Sequence, residues 1–152
     1  MRITAKTDYA VRATAELVSA SAQSPVRADD IAARQRIPVR FLLNILAELR
    51  VAGIVASRRG AEGGYWLAAP AYEISVADLI RAVEGPLADV HGVPPEKVDY
   101  QGSAAALREV WMATRAALRK VLETVTLADI AAGDLPADVM AQLSDPDTLR
   151  RR

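Results

Sequence analysis

The chain of 152 residues contains no cysteine, one histidine and one phenylalanine. Without cysteine there are no disulfides, no thiolate catalysis and no iron-sulfur cluster held by the chain's own thiolates. Apolar residues make up 51% of the chain but aromatics only 5%, so the interior must be filled by Ala, Val, Leu and Ile. That composition favours close-packed helices over an aromatic-rich sheet. No run approaches the roughly 18 apolar residues of a membrane span, and the N-terminus lacks a signal-peptide apolar core, so a cytoplasmic protein is expected. Gly-x-Ser-x-Gly, a phosphate loop and a dinucleotide fingerprint are all missing, and no enzyme is expected.

Net charge is also absent, yet its distribution is uneven. Residues 1–70 carry ten bases against six acids, +4, and the remainder nine against thirteen, −4. A basic head beside an acidic remainder suits phosphate contact by one end, since nucleic-acid affinity follows local positive potential and not overall pI.

The most informative stretch runs from Asp29 to Leu67. Ile31 and Ala32 suit a short helix, and Arg36-Ile37-Pro38 breaks it. A second helix resumes over Val39 to Ala52, with Leu42, Ile45, Leu46 and Leu49 on one face. Gly53 stops that helix, Ile54 to Ser57 reads as a strand, and Gly60, Gly63 and Gly64 let the chain reverse into Tyr65-Trp66-Leu67. This is the pattern of a winged helix-turn-helix, which lays one helix in a DNA groove and a hairpin wing beside it. Gly60 to Gly64 joins strand to strand, so it is a wing and not a phosphate cradle.

Around this unit the expected architecture is mainly α with a small β-hairpin: a winged head plus a long dimerisation helix. Thr7 can cap a first helix from Asp8 to about Ala20, with Ala10, Thr14, Leu17 and Val18 on one face. Ser75 and Asp78 resemble a capping box before Val76, Leu79, Ile80 and Val83, and Gly85-Pro86 ends that helix. Leu87 to Gly102, with its prolines, glycines and His91, reads as a loop. From Ser103 to Thr126 a helix of more than twenty residues is expected. Its stripe includes Leu107, Val110, Trp111, Thr114, Leu118, Val121, Leu122 and Val125, and needs a partner, most simply a second copy. Leu127 to Ala132 is a short helix ending at Gly133, and the tail closes in Arg150-Arg151-Arg152. The expected divisions are thus 1–85, 86–102, 103–132 and 133–152.

Several side chains carry candidate chemistry. Arg40 can offer a bidentate fork to guanine and Asn44 can pair with adenine, while Leu43 could equally be core or a contact to a thymine methyl. Arg58 is a candidate phosphate clamp, and Arg2, Lys6 and Tyr65 complete the candidate DNA contacts. On the long helix Leu107, Trp111, Thr114, Leu118, Val121 and Val125 are the candidate dimer surface. His91 is the one weak metal candidate, with Asp89, Glu96 and Asp99 as carboxylates in the same loop; a lone histidine in such a loop is ordinarily just exposed. A winged helix used for protein interaction, with no specific DNA site, is the alternative reading.

The combination Asp30-Ile31-Ala32, Ile37-Pro38, Ile45-Leu46-x-x-Leu49-Arg50-x-Ala52-Gly53-Ile54-Val55 and Arg59-Gly60-x-x-Gly63-Gly64-Tyr65-x-Leu67 resembles the IscR (Rrf-two) family of bacterial transcriptional regulators. Ile74-Ser75, Ala82-Val83-Glu84-Gly85, Trp111 and Thr126-Leu127-Ala128-Asp129 extend the likeness to about residue 132. The resemblance implies a homodimeric double-stranded DNA binder reading an imperfect palindrome, with Arg59 as a wing arginine entering the minor groove. In well-known members three cysteines and a histidine before the long helix hold an iron-sulfur cluster. Here the cysteine region falls within Val93 to Ala105, which has none, and the histidine position falls near Arg108. The chain therefore resembles the cysteine-less members, with no cofactor expected and a metabolite or protein partner as the signal.

Overall fold

The computed structural model describes residues 2–144. Its helices are α1 (Ala5–Ala15), α2 (Ala28–Gln35), α3 (Val39–Val51), α4 (Val76–Glu84), α5 (Leu107–Leu122), α6 (Leu127–Ala132) and α7 (Ala137–Leu143), with strands β1 (Val55–Arg58) and β2 (Gly64–Leu67) after α3. The strands form an antiparallel hairpin in which Val55 faces Leu67 and Arg58 faces Gly64.

Helix α1 begins earlier than its sequence suggests. Thr4, not Thr7, is the cap: its hydroxyl accepts the Thr7 amide at 3.1 Å, and Thr7 itself is buried. The helix stops at Ala15 instead of reaching Ala20. Near that end the Thr14 hydroxyl donates back to the Ala10 carbonyl at 2.8 Å, an arrangement that competes with regular helix, and Leu17 reaches the core from the following turn.

The helix-turn-helix forms as the proline and apolar spacing require. Arg36 takes a left-handed conformation (φ 53°) at the end of α2, and Pro38 stands immediately before α3. Leu42, Ile45, Leu46 and Leu49 of α3 are fully buried against Ala10 and Ala13 of α1, Ile31 of α2 and Leu79 of α4. Burying a leucine or isoleucine contributes about 1.5–3 kcal/mol, so this face fixes the orientation of α3 in the head.

The C-terminal half departs from the helix expected over Ser103 to Thr126. Gly102–Ala104 is a tight turn, and α5 spans 16 residues, not more than twenty. After α5 the chain returns to the head. The Val76 amide donates to the Val125 carbonyl and the Leu127 amide to the Ile74 carbonyl, each at 2.9 Å. Leu127 is fully buried in the head's core and Val125 is 7% exposed. Val125 is thus a core residue and not part of an outward dimer stripe. Part of the expected tail is helical, since α7 follows Pro136; Arg150-Arg151-Arg152 lie outside the described residues.

Candidate nucleic-acid interface

With Leu42, Ile45, Leu46 and Leu49 turned inward, α3 presents Arg40, Leu43, Asn44 and Ala47 on its exposed side, at spacings of three, four and seven. Leu43 is 42% exposed, so it belongs to this outer face and not to the core. Neither Arg40 nor Asn44 has a hydrogen bond or ion pair among the described residues, which leaves both side chains available to base edges.

The wing is shaped by two glycines. A Cβ on Gly63 would lie 2.3 Å from the Arg58 carbonyl oxygen, and one on Gly64 would lie 2.6 Å from the Val26 carbonyl oxygen. The second approach exists because Val26 and Tyr65 bond each other's backbone, at 2.9 and 2.8 Å, tying the wing to the segment before α2. Tyr65 is half-buried at that tie and packs against the core. Its backbone positions the wing, while its side chain also borders the cleft beside it.

That cleft, about 420 Å³, lies between the start of α2, the outer face of α3 and the wing. Four arginines line it. Arg27 donates to the Ala61 carbonyl at 3.5 Å, Arg50 to the Ser57 hydroxyl at 3.5 Å and Arg58 to the Glu62 carbonyl at 2.9 Å. All three partners are neutral oxygens, and although Asp29 also lines the cleft, none of its arginines forms an ion pair among the described residues. Arg59 has no hydrogen-bond or ion-pair partner among the described residues.

Arg27 and Arg50 are functional candidates that the sequence pattern alone does not single out. A signal for Arg50 was present: it lies three residues beyond Ala47 and seven beyond Leu43, on the same exposed edge. Arg27 had no local signal, because its place beside the wing follows from the Val26–Tyr65 pairing. The candidate Lys6 forms an ion pair with Glu48 of α3 at 2.7 Å, so its charge is partly spent joining α1 to α3. Arg2 is exposed at the N-terminal end.

On α5 no residue is buried within the chain. Thr114, Ala117, Leu118, Val121 and Leu122 form an apolar strip with Ile3, which is 70% exposed. Trp111 is 37% exposed, and its indole N–H donates to the Tyr100 hydroxyl at 3.1 Å; Leu107 is half-buried. In the loop before α5, Val90 and Val93 bond each other around His91 (φ 53°) and Gly92 (φ 79°), a tight hairpin turn. His91 is exposed there. The Asp89 carboxylate accepts the Gly92 amide at 2.8 Å, and Glu96 pairs with Arg115 of α5 at 2.7 Å. The Glu96 carboxyl is held below the usual carboxylate range, first by its own backbone amide and then by Arg115.

The family model for Rrf2, described as an iron-dependent transcriptional regulator, matches residues 3–133. The chain belongs to the Rrf2 family. It is 50% identical over 145 residues to Rv1287 of Mycobacterium tuberculosis, a protein assigned by name to the HTH-type transcriptional regulators, covering 95% of this chain and 89% of that one. To CymR of Bacillus subtilis it is 34% identical, over 86% of this chain and 90% of CymR. The solved structure of that CymR, the global cysteine regulator of B. subtilis, superposes with a TM-score of 0.72 at 32% identity, covering 87% of this chain and 97% of CymR. T. potens IscR superposes at 0.67 with 30% identity, covering 100% and 94%.

These relatives are transcriptional regulators and not enzymes, and this Rrf2 protein is a DNA-binding regulator with the winged-helix fold. No helix among the described residues is long and apolar enough to cross a membrane. The donors of this chain do not fit the iron of the family description. It has no thiolate, and among the described residues no three His, Cys, Asp or Glu side chains gather as a metal set. Asp89 and Glu96 are engaged by Gly92 and Arg115.

Proposed function

We propose that this Rrf2 protein acts as a homodimer on an imperfect palindrome in double-stranded DNA, without an iron-sulfur cluster, and answers to a metabolite or protein partner. Arg40 and Asn44 read the major groove from α3, with Leu43 against a thymine methyl. Arg59 enters the minor groove from the wing, and Arg2, Lys6 and Arg58 contact the backbone. The observation that carries this reading is that Arg40, Asn44 and Arg59 have no partner within the described chain, while the α3 face opposite them is fully buried. Dimerisation through α5 is supported by the apolar strip of Thr114, Leu118 and Val121 with Ile3, which the described residues leave uncovered. Soft thiolate ligands are what a cluster requires, and the sequence has none.

The test is selection of bound duplexes from a random pool, followed by Arg40→Ala and Arg59→Ala. Arg40→Ala should relax preference at one position per half-site by about 1–3 kcal/mol, the value of a bidentate base contact. Arg59→Ala should weaken binding most at sites with A·T-rich minor grooves. Recovery of no shared palindrome, or unchanged selectivity in both variants, overturns the assignment and favours a protein-interaction role.

A further inference from the structure

A second cleft, of about 390 Å³, lies on the far side of α4 between the loop after that helix and α5. Its size is that of a small-molecule site. Pro86, Leu87 and Pro94 supply apolar walls, and Arg81 of α4 with Arg115 and Arg119 of α5 supply the charge. Arg115 and Arg119 are one turn apart, so both point from the same side of α5.

Three carboxylates pair with these arginines, and one of them is shared. Arg81 and Arg119 both engage Glu123, the latter at 2.9 Å, and Arg81 also lies 3.4 Å from Asp78. Asp89 also lines the cleft; one of its oxygens accepts the Gly92 amide, and it forms no ion pair with these arginines among the described residues. Among the described residues Arg115 is matched only by Glu96, which arrives on the loop and is exposed. A guanidinium has five donors and binds carboxylates as a fork, so Arg115 retains capacity beyond this one contact. With Arg115 half-buried and Glu96 exposed, the pair is open to solvent on its glutamate side, where an exposed ion pair adds little to stability.

We propose that this cleft binds a small organic carboxylate, which anchors on Arg115, displaces Glu96 and rests its carbon skeleton on Pro86, Leu87 and Pro94. The inference rests on the regulator reading above and names the site and chemical class of its signal. A carboxylate is favoured over other anions because the cleft already holds one, Glu96, on Arg115. Exchange at Arg115 releases one tie between the loop and α5, at a point adjoining Thr114 and one turn from Leu118, while the Trp111–Tyr100 bond and buried Pro95 keep the loop against the helix. A ligand that favours the loop without that tie thereby shifts how the loop sits on α5.

The experiment uses the full chain with Trp66→Phe, so that Trp111, bonded to Tyr100 of the same loop, is the one indole. Pyruvate, succinate and 2-oxoglutarate are titrated at constant ionic strength, with inorganic phosphate as the competing anion, and calorimetry of the wild type provides a second readout. One of the carboxylates should give a saturable change in emission and heat. Arg115→Gln should raise its half-saturating concentration at least tenfold, and Glu96→Gln should lower it several-fold by removing the internal competitor. A purely structural ion pair would shift both variants the same way, which overturns the proposal. So does an absence of saturable binding in both wild type and Glu96→Gln, or saturation by phosphate in place of the carboxylates. Affinity for the selected duplex is measured on the same samples. Its retention without a carboxylate response refutes this site alone, and its absence refutes the regulator reading.

Discussion

Ser75 and Thr126 face each other in an antiparallel bridge, and each is the N-cap of a helix. Ser75 accepts the Asp78 amide and Thr126 the Asp129 amide, both at 3.2 Å, and both aspartates return a bond to the cap's own amide. Two reciprocal capping boxes, 51 positions apart in sequence, thus stand side by side and join α6 to the head.

Thr126→Ala removes one of these caps and should cost about 0.5–2 kcal/mol of stability, measured by urea denaturation. Because Leu127 follows directly and is fully buried, the effect should fall on global unfolding and not on local fraying. A variant with an unchanged urea midpoint would show that the box is dispensable.

Asp129 adds a pH dependence to the same joint. Its carboxyl is held below the usual aspartate range, first by the Thr126 amide and then by the Thr126 hydroxyl. A depressed native pKa means that the contribution is complete above the unfolded-state value and disappears as pH falls through the native one. The stability gap between wild type and Asp129→Asn should therefore be widest near neutrality and close in acid. A gap that widens on acidification contradicts this sign.

Gly63→Ala and Gly64→Ala should each distort the wing, since the added methyl meets backbone carbonyl and not a flexible side chain. A destabilisation of about 1–3 kcal/mol is expected from overpacking. DNA affinity should fall further than that of Ala61→Ser, which changes the same loop without such a clash. Normal binding by Gly63→Ala would mean that the wing accommodates the methyl or does not touch DNA.

The helix-turn-helix was legible because each of its signals is local: Pro38 before α3, the spacing Leu42, Ile45, Leu46, Leu49, and a glycine cluster between two short strands. The features that were not legible depend on pairings distant in sequence. The apolar period runs from Leu118 through Val121 and Leu122 to Val125 without a break, so nothing local shows that α5 stops at Leu122 and that Val125 is drawn inward by its bond to Val76. Thr4 and Thr7 are both plausible caps three residues apart, and only the packing of Thr7 into the core decides between them. The four-arginine cleft was half visible, since Arg58 and Arg59 lie in the wing motif, whereas Arg27 joins them only through the Val26–Tyr65 pairing.

Arg27 and Arg50 should therefore bind the DNA backbone. Arg50 stands in the last turn of α3, ten residues beyond Arg40 in the first, and both Arg27 and Arg50 border the cleft beside the wing. Arg27→Ala and Arg50→Ala should weaken binding to all duplexes about equally. Each should also reduce the slope of log affinity against log salt, by about 1 for every phosphate that the arginine neutralises. A change in base preference in place of a change in slope would assign them to readout.

Leu118 and Val125, which belong to one stripe in the sequence, should respond oppositely to the same substitution. Val125 is buried within its own chain, so Val125→Asp places a charge in the head's core and should cost several kcal/mol, lowering the unfolding temperature whether or not the protein is dimeric. Leu118 lies in the strip formed with Ile3 and Val121, half-exposed in the single chain. Leu118→Asp should leave the fold of each copy intact, by far-ultraviolet circular dichroism, while shifting sedimentation to monomer. Monomeric heads also forgo the gain from binding two linked half-sites, so affinity for the palindrome should drop far more than affinity for a single half-site. If Leu118→Asp sediments as a stable dimer, the copies meet elsewhere than on α5, and the strip around Ile3 has another occupant.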